Sequence, residues 1–297
     1  MRCFSTLVQQ AVWAAVAGFT FWQPLVSQAA PGDLDLSFSQ SPLPLGGAPD
    51  GLAMQPDGKM VLVGGFGPIP RNTTNNRYIA RLDGSAGAQD TSFVATMGFG
   101  PAPRIVRAQR DGKLMVGGEF ELINGVTMTG VARLNADGTL DTSFANPTFT
   151  GIFQIFSIIV QPDGKVIVGG YFSTVGGVTR NHLVRLNADG SVDTSFNPNP
   201  NSDITSLALL PDGKIVVVGG FNQIAGSTNF SRIGIAILNS DGTLDPTPLP
   251  HISPARCVAV QGDGKIVISR VATTGAENAC SAIYGALARA AKALGYR

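Results

Sequence analysis

Short apolar runs separated by polar turns make up most of this chain. The pattern is clearest in residues 155–196, where four apolar runs alternate with three polar loops. Runs of this length, bounded by Pro, Asp and Gly, are typical of β-strands joined by hairpin turns. The four predicted antiparallel strands, named in chain order, are a (155–161), b (165–172), c (181–187) and d (191–196).

The same pattern recurs with a period of about fifty residues. The Asp-Gly-Lys turn between strands a and b occurs at 57–59, 111–113, 163–165, 212–214 and 263–265. Repeats of this length that contain four short strands are typical of the blades of a β-propeller. We therefore predict an all-β fold, a β-propeller of about five four-stranded blades over residues 31–272.

The two ends of the repeat region predict how the propeller closes. Residues 33–38 resemble a strand d without a, b or c before it, and the fifth unit has a and b but no recognisable d. We expect the N-terminal strand to complete the last blade, because an open sheet edge favours aggregation. The Ala-rich tail, residues 273–297, caps or completes that blade. Its apolar spacing favours a short helix over 280–294, although 287–290 also aligns with strand c.

Glycine pairs and apolar strands predict tight packing between blades. Strands a and b are apolar on both faces, as expected for a sheet held between two neighbours. Strand b ends in glycine pairs at 64–65, 117–118, 169–170 and 219–220. We expect these glycines to allow close packing beside the neighbouring blade.

Hairpin register predicts a charged pair between strands c and d. A three-residue loop at 136–138 places Arg133 opposite Asp141, whereas the fourth unit has Ile237 in place of the arginine. Opposite charges facing each other across strands contribute roughly 0.2–1 kcal/mol. We expect a structural rung rather than a catalytic pair. The three predicted pairs are Arg81–Asp90, Arg133–Asp141 and Arg185–Asp193.

Residues 1–30 have the pattern of a secretory signal peptide. Arg2 is their only charge, an apolar run covers 11–22, and Ser27-Gln28-Ala29 offers small residues at the usual cleavage positions. The run is too short for a hydrocarbon core of about 30 Å. We therefore expect a secreted, periplasmic or cell-surface protein with no membrane span after cleavage. Cys257 and Cys280 then remain, and export permits a disulfide between them without requiring one.

The charge balance and the absence of known catalytic and metal-binding motifs limit the functions that we expect. Without residues 1–30 the chain has 20 basic and 20 acidic residues, so we expect no nucleic-acid partner. Asn135, Asp137 and Asp141 have the oxygen spacing of a calcium loop, but the distal Glu is missing and a hairpin turn explains them. No Gly-x-Ser-x-Gly or His-Glu-x-x-His motif and no zinc spacing occurs. We predict no metal, no cofactor and no catalytic residues.

The loops between strands b and c differ from unit to unit and are the best candidates for ligand binding. Amide and guanidinium groups suit sugars, carboxylates or peptide backbones, although a solvated loop is polar as well. The candidate ligand-binding residues are Arg71, Asn75, Asn76, Arg77, Arg180, Asn181, His182, Asn229 and Arg232.

The repeated phrases resemble a known family. Residues 160–172 followed by 183–196 are similar to the delta-60 repeat of exported bacterial β-propeller proteins, and the resemblance covers residues 32 to about 270. It implies a propeller of such repeats in a secreted or surface-attached protein. The family has no well-established reaction that could be transferred to residues of this chain.

These observations favour a monomeric binding or scaffolding module with a protein or glycan ligand. One alternative is an extracellular polysaccharide hydrolase or lyase with its site in the central channel. A second alternative is a purely structural repeat domain.

Overall fold

The computed structural model describes residues 49–66, 78–84, 87–98, 101–151, 153–227, 233–247, 249 and 255–270, all within one compact unit, Asp35–Arg297. Every regular element in these ranges is a β-strand, which confirms the all-β class. The predicted signal peptide (1–30), closing strand (33–38) and tail helix (280–294) lie outside the described residues and stay predictions. In the described part, no helix is long and apolar enough to cross a membrane.

The strands are short and follow the apolar runs of the sequence. In chain order they are β1 (Pro49–Met54), β2 (Met60–Gly64), β3 (Ile79–Leu82), β4 (Pro103–Ala108), β5 (Leu114–Gly118), β6 (Leu122–Ile123), β7 (Val126–Thr127), β8 (Val131–Leu134), β9 (Phe149–Thr150), β10 (Gln154–Val160), β11 (Val166–Tyr171), β12 (Thr174–Val175), β13 (Val178–Thr179), β14 (Leu183–Leu186), β15 (Ile204–Leu209), β16 (Ile215–Gly219), β17 (Ile235–Leu238), β18 (Ala255–Val260) and β19 (Ile266–Arg270).

Five antiparallel sheets form the five blades that the repeat predicts. The first four have the strand order a–b–c, and the described part of the fifth contains a and b. The sheets are β1-β2-β3, β4-β5-β8, β10-β11-β14, β15-β16-β17 and β18-β19. Two small ribbons, β6-β7 and β13-β12-β9, include the b–c loops of the second and third blades.

The predicted fourth strand, d, is reduced to one β-bridge in each of the first four blades, so the prediction of four full strands is wrong at this position. Beyond the bridge, the Asp141 carboxylate accepts hydrogen bonds from the Ser143 amide (3.0 Å) and hydroxyl (2.6 Å). This side-chain turn competes with the ladder and bends the chain away. The bridges are Leu82–Gln89, Leu134–Leu140, Leu186–Val192 and Leu238–Leu244.

The hydrophobic core lies between successive blades. On β5, Leu114 and Val116 pack with the first blade, whereas Met115 packs with the third. Each central strand therefore buries both faces, as its apolar sequence predicts. The inner strands β1, β4, β10, β15 and β18 contact one another in chain order.

Candidate functional site

Each inner strand carries a β-bulge at the same place. In the third blade Ile155 pairs with Gly170 and Ser157 with Gly169, which leaves Phe156 as the extra residue. The same shift occurs in the other four blades. Bulges re-aim side chains and are frequent next to functional sites. The five bulge residues are Asp50, Arg104, Phe156, Thr205 and Arg256.

Glycines opposite the bulges make room for the bulged backbone. A Cβ on Gly170 would overlap the carbonyl oxygen of Gln154 in the same blade. Gly169 has a different role, because its Cβ position lies 2.7 Å from Ile204 Cγ2 of the next blade. The sequence-based expectation of close packing between blades thus holds for Gly169, whereas Gly170 serves the bulge of its own blade.

The bulges of successive blades lie side by side. A Cβ on Gly51 would lie 2.7 Å from the carbonyl oxygen of Arg104 in the next blade. Hydrogen bonds join the other blades at residues close to the bulges. These bonds are Arg107 Nε to the Ile158 carbonyl (3.2 Å), Leu207 N to Ser157 Oγ (3.0 Å), Val258 N to Ser206 Oγ (3.2 Å) and Thr205 Oγ1 to the Ala255 carbonyl (3.0 Å). We call the five bulge residues the bulge row.

The bulge row repeats in backbone but varies in side chain. Asp50, Arg104 and Arg256 are exposed, and Phe156 and Thr205 are half-buried. Arg104 approaches Glu119 at 3.5 Å, and 54% of the arginine side chain remains exposed. Glu119 is only 23% exposed, so this pair is open to solvent mainly on the arginine side.

Sequence reasoning missed the bulge row, although the repeat contains a signal for it. Each bulge residue stands seven positions before the Asp of its Asp-Gly-Lys turn. When the five units are aligned on that turn, this position is occupied by Asp, Arg, Phe, Thr and Arg, whereas the turn itself is the same in every unit. Only the strand register of the structure identifies that position as a bulge.

The predicted loop residues of the third blade have different environments. Arg180 is buried, and its guanidinium donates to the carbonyls of Thr179 (2.8 Å) and Thr194 (3.0 Å). It therefore fixes the loop. Asn181 is half-buried and donates to the Asn199 side chain at 2.8 Å. The other candidates, Arg71, Asn75, Asn76, Arg77, Asn229 and Arg232, lie outside the described residues.

His182 lies next to the bulge of the third blade. Its carbonyl accepts a hydrogen bond from the Gly170 amide (3.0 Å), and Gly170 pairs with Ile155, the residue before Phe156. Its ring lies 5.4 Å from the ring of Tyr171. Burial lowers the pKa of His182 and outweighs the opposite effect of nearby Asp203. The imidazole is therefore neutral at pH 7.

The arginines of the predicted rung reach beyond the neighbouring strand. Arg133 Nε lies 2.6 Å from Asp141, and Nη1 donates to the Ala188 carbonyl of the next blade at 2.7 Å. The guanidinium also stacks on Phe144, 4.6 Å from its centroid. We call this arrangement the latch. Its other copies are Arg81 with Asp90, the Ala136 carbonyl and Phe93, and Arg185 with Asp193, the Ser240 carbonyl and Phe196.

The lysine of each of the first four Asp-Gly-Lys turns pairs with the aspartate of the same blade. Lys113 Nζ lies 2.8 Å from Asp141, and Lys214 makes the same contact with Asp245 although Ile237 replaces the arginine there. Burial raises the pKa of Asp141, but hydrogen bonds from Lys113, Ser143 and Arg133 together hold that pKa well below its usual range. The repeated aspartates are therefore ionised structural groups.

Acid is expected to weaken the latch. The pKa of Asp141 is lower in the folded protein than the unfolded value of about 3.9. Its stabilising contribution is therefore present above about pH 4 and is lost as the pH falls further. We expect Asp141→Asn to melt well below wild type at pH 7, with a difference that shrinks from about pH 5 to pH 3. Melting temperatures with Asp50→Asn as the exposed control measure this, and a constant difference would contradict it.

Oxygen atoms with calcium-loop spacing are engaged in turns. Asp137 Oδ1 accepts hydrogen bonds from the Thr139 amide (2.9 Å) and hydroxyl (2.7 Å). In the described ranges, no three His, Cys, Asp or Glu side chains are grouped so that they could hold a metal ion. Cys257 is buried and disulfide-bonded, and its partner lies outside the described residues, so pairing with Cys280 stays a prediction.

The chain is similar to several solved structures of low sequence identity. They include the extracellular domain of the putative hybrid two component system BT3049 from B. thetaiotaomicron (TM-score 0.50, 11% identity, covering 79% of this chain and 27% of that chain). A gluconolactonase, XC5397 from Xanthomonas campestris, has a TM-score of 0.41, 14% identity and coverage of 74% and 68%. YCF48 bound to D1 peptide has a TM-score of 0.44, 11% identity and coverage of 74% and 60%.

The repeats also match a family model. None of the curated proteins matches the chain. The model described as "Domain of unknown function (DUF5122) beta-propeller" matches residues 55–93, 109–144, 161–196 and 210–247, one segment in each of the first four blades. Together these segments make up half of the chain. The chain therefore belongs to the DUF5122 β-propeller family.

Proposed function

We propose that this protein is an exported binding module whose ligand contacts the bulge row. One observation carries the proposal: five blades repeat the same backbone bulge, yet its side chain varies, with arginine in two blades and aspartate, phenylalanine and threonine in the other three. The latch repeats in the first three blades and the Asp-Gly-Lys turn in all five, because these residues serve packing and chain reversal. A position that is fixed in backbone and varied in side chain has the properties of a recognition surface on a rigid frame.

The chemistry of the row supports binding rather than catalysis. Arginine pairs with carboxylates in a planar, bidentate geometry, and Phe156 adds an aromatic surface. The repeated carboxylates are held by lysine and arginine, as Asp141 and Asp193 show, so these acids are not poised for proton transfer. A scaffold that holds a protein or glycan partner is included in this proposal.

The cellular setting rests on the N-terminal sequence. Residues 1–30 have the charge, apolar run and small residues of a signal peptide, which supports export to the periplasm, the cell surface or the medium. We also identify the repeats with delta-60 repeats, on the strength of the phrases at 160–172 and 183–196. We expect the exported protein to act as a monomer.

Retention on immobilised ligands tests the proposal. The panel contains neutral polysaccharides, uronate-containing polysaccharides and peptides. We expect wild type to be retained by at least one ligand, and a triple variant (Asp50→Ala, Arg104→Ala, Arg256→Ala) to bind it about tenfold more weakly or worse. The control is Arg110→Ala, an exposed arginine beyond the opposite end of β4, which is expected to bind normally.

Two outcomes would contradict the proposal. If the panel retains no wild-type protein, the domain is not a binding module for these classes and the purely structural alternative is favoured. If the triple variant binds as tightly as wild type, the ligand does not use the bulge row.

A further inference from the structure

A left-handed backbone position precedes strand c in four blades. Its residues are Tyr78 (φ 73°), Gly130 (φ 80°), His182 (φ 60°) and Gly234 (φ 74°). In each blade its carbonyl accepts a hydrogen bond from the glycine opposite the bulge. The donor amides are those of Gly64 (3.0 Å), Gly118 (2.9 Å), Gly170 (3.0 Å) and Gly219 (3.2 Å), in the same order. This backbone hydrogen bond therefore accompanies the left-handed conformation in all four blades, whichever residue occupies the position.

Glycine adopts this conformation freely, whereas a bulky side chain disfavours it. The second and fourth blades have glycine at the position, but the third has His182. Residues held in disfavoured backbone regions concentrate at ligand-binding and active sites. Tyr78 in the first blade and His182 in the third thus keep a side chain where glycine would be less strained, which favours a role for that side chain.

The surroundings of His182 supply that role. Its ring packs against Tyr171 at an interplanar angle of 41°, and Tyr171 is 48% exposed. Within the described ranges, His182 Nδ1 is buried without a hydrogen-bond partner. A neutral imidazole has one donor and one acceptor, and the amide of the neighbouring Asn181 has an oxygen and a second N–H besides the one that it donates to Asn199. Tyr171 pairs with Gln154, so the group adjoins the bulge at Phe156.

We infer that the third blade holds a saccharide subsite formed by Tyr171, His182 and Asn181 beside Phe156. The C–H face of a sugar ring packs on an exposed aromatic ring. Its hydroxyl groups both donate and accept hydrogen bonds, which matches the Asn181 amide and the exposed part of the half-buried imidazole. The inference rests on the proposed binding function and names the ligand class for this part of the bulge row.

Two variants and one matched control test the subsite on the immobilised neutral and uronate-containing polysaccharides. We expect His182→Gly to melt at or above the wild-type temperature, because it relieves the backbone, and to bind about tenfold more weakly. Tyr171→Ala, at an exposed position, is expected to show the same loss of binding. Ala225→Gly relieves a similar backbone conformation (φ 51°) in the fourth blade and is expected to bind normally.

The outcomes separate this inference from the proposed function. If wild type binds a peptide through the bulge row but no polysaccharide, the binding function stands and the saccharide subsite is wrong. If His182→Gly or Tyr171→Ala binds polysaccharide as tightly as wild type, the subsite is also wrong. Loss of both stability and binding in His182→Gly leaves Tyr171→Ala as the deciding variant.

Discussion

The Gly170→Ala variant is expected to lose about 3 kcal/mol of unfolding free energy, at the upper end of the cost of overpacking. A Cβ at this position would overlap the carbonyl oxygen of Gln154, which is main chain and cannot rotate away. The strand pair must separate or the bulge must change register. Either response removes hydrogen bonds between β10 and β11 at the bulged end of the third blade.

Equilibrium urea unfolding measures this loss, and the first blade offers a matched control. Gly65 also belongs to a glycine pair, but nothing lies within 4 Å of its Cβ position. Gly65→Ala is therefore expected to change stability by less than about 0.5 kcal/mol. If Gly170→Ala were equally harmless, the glycine would not be needed for the bulge.

The Arg133→Met variant is expected to lose about 2–3 kcal/mol, because it removes a buried ion pair and a charge-assisted hydrogen bond to the next blade. Methionine retains much of the apolar stem of the arginine side chain. The lost unfolding free energy therefore measures the contribution of the guanidinium group. Asp141 keeps its contact with Lys113, which limits the penalty. Both latch side chains are at least 90% buried, so solvent screens the interaction little.

The size of this loss separates two descriptions of the arginine. A cross-strand rung predicts roughly 0.2–1 kcal/mol. The latch predicts a larger loss of unfolding free energy, because the same guanidinium also binds the Ala188 carbonyl and stacks on Phe144. Urea unfolding of Arg133→Met beside the exposed control Arg110→Ala measures the difference. A loss below 1 kcal/mol would contradict the latch.

The repeat period allowed the fold class to be predicted, because each unit carries its own turn signals and apolar strands. Hairpin register also predicted that Arg133 faces Asp141, since a three-residue loop fixes the pairing. Its contact with the next blade was not predictable in this way. The accepting carbonyl of Ala188 stands 55 residues later, and no local pattern links the two.

The candidate site was harder to predict, for two physical reasons. A bulge is defined by strand register, and the residues at the extra position differ among the blades, so they form no common motif that the sequence would reveal. The polar composition of a loop also does not reveal which way each side chain points. Arg180 turns inward to main-chain carbonyls, whereas His182, two residues later, adjoins the bulge row.

The fourth blade has no latch arginine, because Ile237 stands at that position. Lys214 nevertheless lies 2.8 Å from Asp245, so the repeated aspartate keeps its lysine partner where the arginine is absent.

The protein combines a repeated frame with a variable row of bulge residues. The most direct test measures melting temperature and ligand retention on the same sample of the triple variant Asp50→Ala, Arg104→Ala, Arg256→Ala. All three residues are exposed, so the account predicts a melting temperature within a few degrees of wild type together with loss of retention. A variant that melts far below wild type, or one that binds as wild type does, would contradict it.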